Sequence, residues 1–147
     1  MILTNYKKAW LQFSYCLSIA TLLEGYIGSF EPSPESALLL LKKLDVAFAS
    51  LVTGTNAETG TQLPGFGPGL RPVSMTEKIR IKSIADATRI VAAKYLGDES
   101  DEEEFPGLVG ITGLSRTHER IGRVYDKTIT ALGTQLGDNL IGLVSDN

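Results

Sequence analysis

From Ala9 to Leu23 the chain runs fifteen residues without a charge, and the apolar positions there do not keep to one side. Tyr6, Trp10, Phe13, Leu17 and Ala20 follow the three-and-four spacing of a buried helical stripe. Leu11, Tyr15, Leu22 and Tyr26 form a second stripe, and Ala9, Cys16, Ile19 and Leu23 add to the apolar total. The least apolar face holds Lys7, Ser14, Ser18, Thr21 and Gly25, nearly all small. A helix so apolar around its circumference is buried centrally or sandwiched between partners. The stretch therefore predicts a helix over Leu3–Ile27 that serves as the keystone of the fold.

This helix is not expected to span a membrane. A span needs about 20 apolar residues, and Gln12, Ser14, Ser18 and Thr21 interrupt the run. Lys7 and Lys8 ahead of an apolar stretch also resemble the start of a secretory leader, but the run is rich in aromatics and lacks a small-x-small cleavage site.

Three further helices follow from periodicity and punctuation. Ser33-Pro34 is a start signal, a hydroxyl to cap free amides and then a proline whose missing N–H costs nothing there. It opens Pro34–Val52, with Ala37, Leu41, Leu44, Phe48 and Leu51 on one side. The short connection from Gly28 to Ser33 makes the first two helices an antiparallel hairpin. Ser74-Met75-Thr76-Glu77 is a capping box opening Met75–Leu96, with Gly97 as the stop. The expected buried line of this third helix is Ile81, Ile84, Thr88, Val91 and Tyr95; Ile79 and Ile90 fall on the far side. The fourth, Thr117–Val144, starts near Ser115 or Thr117 and buries Ile121, Tyr125, Thr128, Leu132, Leu136 and Leu143. Gly122, Gly133, Gly137 and Gly142 interrupt it, at roughly 0.5–1 kcal/mol each, so packing must hold it, and a break near Gly137 is possible.

The expected architecture is thus an all-α, four-helix bundle-like single domain over residues 1–147, with two long irregular loops. One loop, 54–73, contains five glycines and three prolines and can hold neither helix nor central strand. The other, 97–114, is acidic: Asp98, Glu99, Asp101, Glu102, Glu103 and Glu104 carry six of the 17 acids. The remaining 11 acids against 14 bases leave the body at +3, although the chain as a whole is −3. With one cysteine, Cys16, no intrachain disulfide can form, which fits an intracellular chain, nuclear or cytoplasmic.

Little in the chain carries chemistry. The lone histidine, His118, with Ser115 or Cys16 as nucleophile, is the one catalytic pairing to weigh, and nothing in the sequence brings the groups together. One His and one Cys make no metal site by count. Gly65-Phe66-Gly67-Pro68-Gly69 lacks the preceding strand, the lysine and the adjoining helix of a phosphate-binding loop. The acidic run lacks the alternating ligands and central glycine of a calcium loop. Within it, Ser100 followed by Asp101, Glu102 and Glu103 is a candidate acid-directed phosphorylation site, which would deepen the negative charge. No enzyme activity and no cofactor are expected.

What remains is surplus apolar surface. Hydrophobic residues make up 43% of the chain and its mean hydropathy is +0.06, high for a small soluble domain. The first reading is a non-enzymatic scaffold or adaptor subunit of a multiprotein complex, such as a nuclear, chromosome-associated one, binding a protein partner or its own copies. Its contact residues would be Ile79 and Ile90, with Lys82 and Arg89 around them, and the side carrying Gly133 and Gly137. The second reading is a nucleic-acid-associated subunit in which Lys78, Arg80, Lys82 and Arg89 meet phosphates while the acidic loop regulates access. The chain carries no quotable family signature; its architecture resembles that of small helical subunits of eukaryotic assemblies.

Overall fold

The structure is a computed structural model that describes residues 2–30, 33–67, 73–97 and 110–134, with side chains described from 10 onward in the first stretch and from 116 in the last. Four helices carry the fold: α1 (Ile2–Ser29), α2 (Pro34–Thr53), α3 (Met75–Leu96) and α4 (Gly110–Gly122). Residues 126–134 are helical again after a turn. No strand occurs among the described residues; an isolated antiparallel bridge between Thr55 and Gln62 closes the turn that follows α2. The all-α expectation holds.

The starts and stops follow local chemistry, with some differences from expectation. Ser33 is the residue before α2, but its hydroxyl makes no cap bond; Pro34 and Glu35 alone favour the start. Gly54 ends α2 in the left-handed region at φ 78°, and its N–H reaches the Ser50 carbonyl at 2.8 Å. The capping box of α3 forms as read. The Glu77 carboxylate accepts from the Ser74 N–H at 2.6 Å, and the Ser74 hydroxyl accepts from the Glu77 N–H at 3.3 Å. Gly97 ends α3 without a left-handed turn, at φ −89°; a Cβ there would lie 2.7 Å from the Ala93 carbonyl oxygen, so a larger residue would not fit unless something shifted.

The last part of the chain departs most from the sequence reading. The helix expected from Thr117 begins at Gly110, so 110–114 belong to helix rather than to the acidic loop. The expected single helix is also interrupted at 123–125, where Tyr125 takes φ 59°. A positive φ is uncommon for a bulky residue. The expected break near Gly137 lies outside the described residues.

The core is built where the four helices meet. α1 packs on α3 and α2, and α3 packs on α4. Phe13, Ala20, Leu23 and Ile27 come from α1, Leu41, Leu44 and Phe48 from α2, and Ile121, Val124, Tyr125 and Leu132 from the last segment. On α3 the buried line is Ile81, Ala85, Thr88, Ala92 and Leu96, rotated from the expected Ile81–Ile84–Thr88–Val91–Tyr95. Two alanines let neighbouring helices come close, and the branched Ile84 and Val91 become a half-buried shoulder. Tyr95 stays partly exposed and meets α1 at Gly28, where a Cβ would lie 3.9 Å from its ring.

Candidate functional site

The candidate catalytic groups are His118 with Ser115 or Cys16. His118 is exposed on α4, beside the end of α3: a Cβ at Gly97 would lie 3.9 Å from its Nε2. Cys16 is half-buried on α1, and burial raises its thiol pKa, which keeps it protonated and unreactive at neutral pH. The end of α1 lies by Val91 and Tyr95 through Gly28, and Cys16 is twelve residues, ~18 Å of helix, before that contact. The structure therefore does not bring the thiol to the imidazole. The side chain of Ser115 lies outside the described residues. Among the described residues no three His, Cys, Asp or Glu groups cluster as a metal site, and no helix is long and apolar enough to cross a membrane.

The sequence reading missed Asp45. It sits on the buried side of α2, and its carboxylate accepts from the backbone N–H of Thr128 at 2.8 Å and of Lys127 at 3.3 Å. The Thr128 hydroxyl lies 2.7 Å from the same carboxylate and 3.0 Å from the Asp45 carbonyl. Lys127 and Thr128 are the second and third residues of the helical segment 126–134, where a capping side chain normally satisfies the free amides. Tyr125 precedes that segment and cannot cap it, so α2 provides the cap from across the core. The Tyr125 ring is fully buried against Phe48, with centroids 6.0 Å apart. Its hydroxyl has no hydrogen-bond partner, and burial, then the charge of Asp45, push its pKa up. An open cleft of about 600 Å³ beside this turn is lined by Leu38, Lys42, Asp45, Arg123 and Lys127. Asp45 is committed to the cap, and the other carboxylate on the cleft, Asp126, is exposed to solvent. This is a structural centre.

The outward surface is where the sequence-read contact residues lie. Ile79 and Ile90 are 56% and 70% exposed; eleven residues apart, they share one side of α3, opposite its buried line. Lys82 lies on the flank of that side, ion-paired at 2.6 Å with Asp86, which does fall between the two isoleucines. Arg89 turns the other way: its guanidinium donates to the Gly122 carbonyl at 3.1 Å and so caps the end of α4. Lys82 and Arg89, both expected at phosphates, are therefore engaged with protein groups. Gly133 is exposed, with open space around its Cβ position. Gly137, Ser100 and the acidic run lie outside the described residues. On α1 the second stripe, Leu11, Tyr15, Leu22 and Tyr26, is not buried; Ile19 and Phe30 next to it are exposed as well, and so is Trp10 of the stripe expected to be buried.

Two outward apolar faces on a small helical framework define a class: a helical protein whose surface chemistry is that of contact with another macromolecule. The comparison with known families is specific. The family model TFB6, described as subunit 11 of the general transcription factor TFIIH, matches residues 7–133, and the chain belongs to that family. No curated protein matches the chain, and no solved structure does.

Proposed function

We propose that this chain is a non-enzymatic subunit of the transcription-factor complex for which its family is described, working in the nucleus by protein–protein contact. The observation that carries the proposal is the placement of Ile79 and Ile90 in solvent, on the side of α3 turned away from the core. Exposed Met75 extends the same face toward the start of the helix. Lys82 and Arg89 stand on its flank, the polar surround expected of an apolar contact patch. The side carrying Gly133 and Gly137 is a second approach, where the missing side chains would let another backbone come near. The reading is supported by family membership, since a subunit of a multiprotein factor needs faces of this kind.

The test is co-purification of the tagged chain from its own cells, as wild type and as the double variant Ile79→Glu with Ile90→Glu. Both side chains are exposed, so the melting temperature of the isolated chain should scarcely move, within about 0.5 kcal/mol of stability. The variant is expected to lose its complex partners. Undiminished recovery of those partners would overturn the assignment of this face.

A further inference from the structure

The stripe left uncovered on α1 has an internal symmetry. Leu11, Tyr15, Ile19, Leu22, Tyr26 and Phe30 fall within an arc of about 100° on the helix. They also pair off around one point. Leu11 and Phe30, Tyr15 and Tyr26, and Ile19 and Leu22 each lie equally far from the midpoint between Ala20 and Thr21. We infer that this stripe is the contact surface for a second copy of the same chain, the two α1 helices crossing antiparallel about a two-fold axis at that midpoint.

An isologous interface requires one patch that is complementary to itself. In the antiparallel arrangement Leu11 meets Phe30, Tyr15 meets Tyr26 and Ile19 meets Leu22 of the second copy, so each bulky group finds another opposite. The spacing of Tyr15, Ile19, Leu22 and Tyr26, four–three–four, is that of a helix–helix seam. Antiparallel helix dipoles favour this direction over the parallel one.

The neighbouring chemistry allows the surface to be dried. Between Ala9 and Phe30 the sole charged side chain is Glu24, which is half-buried and on the other side of α1. Ser18 and Thr21, beside the stripe, already donate their hydroxyls to the Ser14 and Leu17 carbonyls at 2.9 Å. A second helix can therefore cover them without orphaning a donor. The area is also sufficient. With Leu22 at 74% and Tyr15 at 68% exposure, the six side chains present on the order of 700 Å². Two copies would then bury roughly 1,400 Å², within the range of stable specific interfaces.

The experiment is sedimentation equilibrium of the full chain over a range of concentrations. The wild type is expected at twice the chain mass. Leu22→Glu should raise the dissociation constant by about tenfold or more with the helical circular dichroism unchanged. Ile79→Glu with Ile90→Glu should remain dimeric, so this inference and the proposed α3 contact fail separately. Direction is read by disulfide trapping in a Cys16→Ala background. Mixing chains carrying Tyr15→Cys with chains carrying Tyr26→Cys should give the mixed disulfide. Tyr15→Cys alone should not cross-link, because its two copies stand eleven residues, ~16 Å, apart along the seam. A monomer at all concentrations, a Leu22→Glu dimer as tight as wild type, or cross-linking of Tyr15→Cys to itself would each overturn the pairing.

Discussion

At the scale of single residues, Asp45 and Tyr125 decide how the end of the chain is held. Replacing Asp45 with alanine leaves two backbone amides without their acceptor, while the Thr128 hydroxyl keeps only the main-chain carbonyl of residue 45. The expected cost is about 2–4 kcal/mol in urea unfolding, since both a helix cap and a buried bonded carboxylate are lost. Asp45→Asn keeps one oxygen acceptor and should cost less than alanine. Tyr125→Phe is expected to be neutral or stabilising by up to about 1 kcal/mol, because the hydroxyl it removes is buried without a partner. The same change should alter the response to alkali. The folded Tyr125 resists ionisation, whereas the unfolded phenol loses its proton near its ordinary pKa of about 10. The unfolded state then binds fewer protons, so stability falls as pH rises above about 10. Thermal melts from pH 8 to 11 should show a shallower decline for Tyr125→Phe. The Asp45 site was legible only as an acid on the apolar side of α2: the amides it caps lie 82 and 83 residues away in the chain, and no local pattern announces that distance.

At the scale of elements, the helices themselves were readable and their rotations less so. The starts of α2 and α3 and the stop at Gly54 rest on short-range chemistry, and the capping box formed as its four residues indicated. Gly54 is a point where that chemistry can be measured. Its φ is 78°, and a Cβ there would stand 3.1 Å from the Phe66 ring. Gly54→Ala should cost about 1–2 kcal/mol in chemical denaturation, and an unchanged midpoint would contradict the turn. The buried line of α3 was misplaced because hydropathy favours Ile84, Val91 and Tyr95, while close helix packing selects Ala85 and Ala92. The first helix shows the same limit: both of its apolar stripes were visible, but the sequence does not say which one the bundle covers. The break at 123–125 was marked by Gly122, which ends α4, but nothing at Tyr125 announced its positive φ; a trans cap from α2 holds the turn.

At the scale of the molecule, the account rests on apolar surface that the bundle does not cover. Among the described residues, two such faces, on α1 and on α3, are assigned different occupants. Neither face contributes to the described core, so charged substitutions on them should leave folding intact and change only what the chain associates with. The most direct measurement is hydroxyl-radical footprinting of side chains in the dilute isolated chain and in the complex purified from cells. The account predicts high labelling of Met75, Ile79, Tyr15, Leu22 and Ile90 in the dilute chain and strong protection in the complex, with Phe48 and Tyr125 protected in both. Equal labelling of the α1 and α3 outer faces in the two states would mean that nothing covers them, and would contradict the account.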